Sequence, residues 1–207
     1  MILTNSDSIA GDIYLKTILI HGFKTFAEST QIEMCRDFNI ILSSDFSLTY
    51  DLLYAIDWSF RNDSEEQEVS EVISCGSDGK PLVDFAEIEL CFGVTGSDAQ
   101  DYVCKKRLSV DHENSEGKGK VTYSIDDKVV SRYEYASVKK LIPLVFAGII
   151  MENANMNAED IKQQCANRQT VIATTDKSII SELKPAHLIG LVKKDGITEV
   201  HLLSNAD

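Results

Sequence analysis

"NIILSSDFSLTYDLLYAIDW", residues 39–58, sets a short apolar strand, a tight loop and an amphipathic helix in direct succession. That is the layout in which a strand-to-helix corner normally cradles a nucleotide phosphate on backbone amides. The loop residues do not suit the task. A phosphate cradle needs glycines, because its amides must turn inward around the anion. It also needs a lysine to neutralise the β and γ charges, and a hydroxyl to hold Mg²⁺. "SSDFSLTY", residues 43–50, carries neither glycine nor lysine. Bulky Phe46 and Leu48 are expected to resist a left-handed backbone and to fill the space a phosphate would occupy, one or the other packing inward to close the corner.

Before that stretch, "YLKTILI" (14–20), "TQIEM" (30–34) and "FNIIL" (38–42) read as strands, the first two joined by the turn-bearing "HGFKTFAES". The helix places Leu48, Leu52, Leu53, Ile56 and Phe60 on one face, with Trp58 read as core. "RNDSEEQEVSE" reads as an acidic solvated loop or helix end, and "CGSDGKP" as a turn. Strands follow at 84–92, 101–110 and 120–125, and Asp126-Asp127 turns into "KVV". This half is expected to form a mixed sheet carrying an antiparallel meander.

From residue 141 the pattern changes. "LVFAGIIM" is a continuous apolar run with Pro143 at its start, the mark of a strand buried on both faces. A helix over "NAEDIKQQCANR" with Asn157 as N-cap, a buried strand over 169–175, a short helix "KSIISEL" and a hairpin "HLIGLVKKDGITEVHLL" complete the reading. The fold class is α/β.

A chain of 207 residues with 43% hydrophobic and 26% charged content can bury a sizeable core. Twenty Lys and Arg stand against 33 Asp and Glu, so the formal net charge of −13 repels phosphate backbones and anionic lipid surfaces. Five cysteines, Cys35, Cys75, Cys91, Cys104 and Cys165, are scattered with no CxxC pair, and read as reduced thiols in a cytosolic compartment. No apolar stretch is long enough to span a bilayer, and "MILTNSDSIAGD" lacks a signal-peptide pattern, so the expected location is cytoplasmic, or nucleoid-associated through a partner.

"YLKTILIHGFKTFAESTQIEM" resembles the start of the ATPase head of structural maintenance of chromosomes (SMC) proteins, with its YLK strand, GFKSFA turn and second strand. The similarity continues into residues 39–58, where the family has a Walker A loop of the form GPNGSGKS and a helix containing DAIRW. Weaker matches follow in order: "VDFAEIELCF" to an AEV strand, "DYVCKKRL" to VTRRL, and "YSIDDKVV" to the YYINGKPV hairpin. "GIIMENANMN" sits where Walker B and the D-loop would be, and "QTVIATTDKSIISELKPAHLIGLV" resembles the closing strand, switch and last hairpin. The resemblance implies one two-lobed ABC-type head over 1–207, with an N-terminal lobe at about 13–140 and a C-terminal lobe at about 141–204. No long heptad segment separates the halves, so a coiled-coil arm and hinge are not expected within this chain.

Matched to the family's Walker A, the first glycine is Ser43, the later glycines are Phe46 and Leu48, the lysine is Thr49 and the metal-binding serine is Tyr50. The Walker B Asp-Glu pair becomes Met151-Glu152. Glu152 keeps the carboxylate, but without a metal or a bound γ-phosphate it has nothing to act on. The switch His is Asp176, and "EYASVKKLIP" stands where LSGGE would be. The resemblance therefore implies a head that has lost ATP binding and hydrolysis, with no catalytic residue, cofactor or metal and no ATP-sandwich dimer. It would be a non-catalytic interaction or regulatory module of a chromosome-organising complex, its partner a full-length SMC or a kleisin-type protein. A working but atypical ATPase acting in chromosome segregation, and an inactive remnant, stay open on the sequence. The cluster Lys105, Lys106 and Arg107 is the candidate weak nucleic-acid contact, against its reading as a solvated strand face. His21 and Cys75 read as turn residues rather than as a ligand and a nucleophile.

Overall fold

The structure is a computed structural model that describes residues 13–61, 64–94, 101–111, 117–139, 145–148, 159, 163, 169–175, 177–194 and 197–203. Two sheets carry it. The first has the order β2-β1-β5-β6-β7-β4, formed by β1 (Ile13–His21), β2 (Thr30–Glu33), β4 (Glu66–Glu68), β5 (Phe85–Val94), β6 (Tyr102–Val110) and β7 (Lys118–Ile125), with β8 (Lys128–Val130) also pairing β7. Every pairing in it is antiparallel. β8 is reached through Asp126 and Asp127, both at positive φ as a tight hairpin requires.

The second sheet runs β12-β11-β3-β10-β9, from β3 (Phe38–Leu42), β9 (Val145–Gly148), β10 (Thr170–Thr174), β11 (His187–Lys194) and β12 (Ile197–Leu203). Its inner strands are parallel and β12 is antiparallel to β11. The mixed sheet expected in the first half is thus not there: the meander is purely antiparallel, and β3 leaves it to become the central strand of the second sheet. A short apolar strand carries no mark of which sheet it joins; β3 is drawn to β10 and β11 because both of its faces are apolar. Ile41 faces α1 (Phe46–Phe60) in the main core with Leu48, Leu52, Val171 and Ile189. Ile40 and Leu42 face the other way, onto Ile172, Leu183 and Leu188 beneath α4 (Ser178–Leu183). Burial on both faces explains why these strands read as unbroken apolar runs.

β1 keeps Leu15, Ile18 and Ile20 all in the core although their spacing breaks strict alternation. A register shift between Leu15 and Thr17 re-phases the strand. After β1 the chain turns through Gly22 at φ +64, where a Cβ would stand 2.1 Å from the Phe85 carbonyl oxygen, so only glycine fits. Phe23 and Phe26, paired backbone to backbone in that turn, are both buried.

The acidic stretch after α1 is more structured than its composition predicts. It forms β4 and the short helix α2 (Val69–Val72), because Val69 and Val72 reach the core and Gln67 accepts from the Trp58 indole at 2.8 Å. Farther on, α3 (Arg132–Lys139) starts with a capping box: the Ser131 hydroxyl and amide donate to Glu134, and the Glu134 amide donates back to the Ser131 hydroxyl. Those bonds favour the ionised carboxylate and lower the Glu134 pKa. Of the helix expected over 157–168 only Glu159 and Gln163 are among the described residues, both helical, and of the strand expected over 144–151 the described half is β9 (Val145–Gly148).

Candidate functional site at the β3–α1 corner

The corner after β3 stands at the carboxyl end of a parallel sheet, between β10 and β11, the position where open α/β sheets take ligands. Here the backbone closes on itself. The Ser43 amide donates to the Thr174 carbonyl at 3.2 Å, and the Ser43 hydroxyl accepts from the Asp45 amide at 3.0 Å. Asp45 has extended backbone, φ −96 and ψ 109, and is the N-cap of α1, its carboxylate accepting from the Ser47 amide at 2.8 Å. The helix is under way at Phe46. Residues 46–50, expected from the resemblance to stand for the second half of a Walker A loop, are its first turns, and no residue from 43 to 50 has positive φ.

Each residue of the loop has a definite place. Leu48 is fully buried in the main core, and Thr49 is buried with its hydroxyl donating to the Phe46 carbonyl at 2.9 Å. The inward packing expected of Phe46 or Leu48 is met by Leu48. Phe46 is 50% exposed and Tyr50 48%. Their rings stack at 6.0 Å between centroids, and Tyr50 continues onto Tyr54 at 6.5 Å. Tyr54 meets Phe23, which meets Trp58, so aromatic contacts run from the exposed corner into the core. Met151, Glu152 and Asp176 lie outside the described residues.

Cap removal is a direct check on this geometry. Asp45→Ala is expected to cost about 1 kcal/mol, the usual worth of a helix N-cap, read as a lowered denaturant midpoint with unchanged slope.

Against known proteins, no family model matches the chain. A solved SMC head bound to the C-winged helix domain of ScpA overlays it with a TM-score of 0.71, covering 92% of this chain and 98% of that one at 12% identity. The SMC head domain from Thermotoga maritima gives 0.66, with 92% and 99% covered at 14% identity. The chain has the fold of an SMC head domain. A third such head, from Pyrococcus furiosus and bound to the C-terminal domain of ScpA, gives 0.69 over 93% of this chain and 96% of that one at 11% identity. Among curated proteins, the chromosome partition protein Smc of Desulfitobacterium hafniense is 22% identical over 156 residues, 72% of this chain, which spans 13% of that relative's length.

Within this SMC-like head the basic cluster is divided by the pleat of β6. Lys106 points inward between Cys104 and Leu108 and is fully buried, its ammonium donating to the Trp58 carbonyl at 2.8 Å and the Arg61 carbonyl at 3.1 Å and lying 4.3 Å from the Trp58 ring centre. It cannot contact a nucleic acid. Lys105 faces outward and pairs with Glu89 at 3.0 Å and Asp127 at 3.6 Å; Arg107 pairs with Glu87 at 3.6 Å and lies over the Phe85 ring. A strand of carboxylates, Glu87 and Glu89, stands beside these two cations and neutralises the face. Sequence reasoning saw three consecutive cations, yet the period of two already set Lys106 on the side of Cys104 and Leu108.

Three of the described thiols are held back from nucleophilic attack by burial. Burial pushes the Cys104 thiol up to about 12 and raises Cys35 and Cys91 as well, so these stay protonated at neutral pH. His21 accepts or donates a bond to the Ser29 hydroxyl at 3.1 Å and packs on Phe85, the turn role read for it. Among the described residues no group of His, Cys, Asp and Glu could hold a metal ion, and no helix is long and apolar enough to cross a membrane.

Proposed function

We propose that this SMC-like head works without ATP, as a protein-interaction or regulatory module of a chromosome-organising complex. The observation that carries the reading is Asp45. The first turn of a helix is an anion site by virtue of its free amides and its dipole. In this chain a side-chain carboxylate from the same loop already occupies it, at 2.8 Å from the Ser47 amide. A triphosphate would have to displace that bonded carboxylate, meet its negative charge, and do so with Thr49 where a lysine would be needed. Helical backbone from Phe46 onward leaves no inward-turning amide loop to receive it.

A protein partner fits the charge better than DNA does. At −13 the chain repels phosphates, and its densest basic cluster is spent on Glu87, Glu89 and the end of α1. Two of the similar solved heads are bound to a domain of ScpA, and on that analogy the partner is a kleisin-type protein or a full-length SMC. Light scattering with and without ATP and Mg²⁺ tests the reading, alongside titration with duplex DNA at two salt concentrations. The expected result is one mass under both conditions and DNA binding no tighter than about 10⁻⁴ M, the weak end of non-specific association. An ATP-induced dimer would overturn it.

A further inference from the structure

We propose that the Phe46–Tyr50–Tyr54 ladder on α1 is a docking face for a cationic, arginine-bearing segment of a partner protein. The proposal rests on the ATP-free reading and adds the chemistry of what binds at the corner instead.

Three aromatic rings stand at successive helical turns, the planes of neighbouring rings 23° and 16° apart. Such a ladder sets the three rings along one face of α1, the outer two half-exposed. The inner ring shows what that face accepts: the Lys24 ammonium lies 4.9 Å from the Tyr54 centre and the Arg61 guanidinium 5.3 Å. The chain supplies those cations from elements on either side, a turn at positive φ and the residue that ends α1. Among the described residues no cation lies over the two outer rings, Phe46 and Tyr50, which are the half-exposed ones.

The occupant follows from charge. A planar guanidinium stacks on a tyrosine or phenylalanine face while its edge still donates hydrogen bonds. The Asp45 carboxylate at the head of the same helix keeps acceptor sites beyond its bond from the Ser47 amide, and Asp57 stands farther along it, paired with Arg61. The net charge of −13 favours approach of a basic segment and disfavours an acidic one or a nucleic acid. An aliphatic partner would waste the Tyr50 hydroxyl and the neighbouring carboxylate.

The test uses a short capped peptide of alternating glycine and arginine, with lysine and glutamate versions, titrated into the full chain. Ring resonances of Phe46 and Tyr50 are followed by two-dimensional NMR. The arginine peptide is expected to shift those rings saturably, the lysine peptide more weakly and the glutamate peptide not at all. Replacing Phe46→Ser together with Tyr50→Ser is expected to weaken arginine-peptide binding by about tenfold or more. Both sites are half-exposed, and an unchanged Trp58 emission spectrum verifies that the double variant is folded. Arginine-peptide binding that ignores the double variant, or shifts confined to other acidic surfaces, would overturn the proposal. So would self-association carried by these same rings, which would make the occupant a second copy of the chain. A peptide failure with ATP still not binding removes this docking face alone, whereas ATP binding removes the ATP-free reading by itself.

Discussion

Lys106→Met is expected to destabilise the fold by about 3 kcal/mol or more, while Lys105→Met and Arg107→Met stay within about 1 kcal/mol of the parent. The contrast arises because three adjacent cations occupy opposite faces of β6. Lys106 is fully buried and closes the end of α1, satisfying the carbonyls of Trp58 and Arg61 at the negative pole of the helix. Methionine fills a similar volume but donates nothing, so the Trp58 and Arg61 carbonyls lose the ammonium bond, the Trp58 carbonyl keeping the Arg61 amide, and the Trp58 ring loses its cation. For a chain of this size the loss corresponds to a fall in Tm of about 6–12 °C. Thermal unfolding of the three variants side by side checks it; equal effects at 105 and 106 would contradict the inward placement.

A loss of about 2–4 kcal/mol is expected for Gln169→Leu, from an interaction that spans the two sheets. β2 stops short of Leu15, leaving the Leu15 backbone without a strand neighbour on that side. The Gln169 carboxamide takes the neighbour's place: its oxygen accepts from the Leu15 amide at 2.6 Å, and its nitrogen donates to the Leu15 carbonyl at 2.6 Å and the Cys35 carbonyl at 2.8 Å. Asn39 braces the same junction, exchanging bonds with the Cys35 backbone and donating to the Thr170 carbonyl. Leucine would keep the volume and orphan a buried amide and carbonyl. Gln169→Glu should be worse still, since a carboxylate can take the Leu15 amide but repels both carbonyls. Denaturant midpoints give the ordering, and hydrogen exchange at Leu15 should speed up in both variants.

The strands of the meander were legible because their polar and apolar residues alternate, and α1 because Leu48, Leu52 and Ile56 recur at helical spacing. Membership in a sheet was not. "FNIIL" reads the same whether it pairs with β2 or with β10, and only the covering of both its faces, by α1 and by α4, decides the matter. At the corner, the absence of glycine and lysine was visible in residues 43–50, whereas the early start of the helix was hidden by aligning the segment to a loop. The signal was there: Asp45 stands directly before a run without glycine or proline, a sound N-cap placement. Gln169 gave no sequence signal at all. A polar residue heading an apolar strand has no local mark of a partner 154 positions away.

Isothermal titration of the 207-residue chain with ATP and Mg²⁺ separates an ATP-free head from an ATP-binding one. No heat of binding is expected through the millimolar range, because Asp45 holds the helix amide that a phosphate would need and Thr49 brings no charge. Binding in the micromolar range would contradict it and would make this SMC-like head an atypical ATP-binding protein.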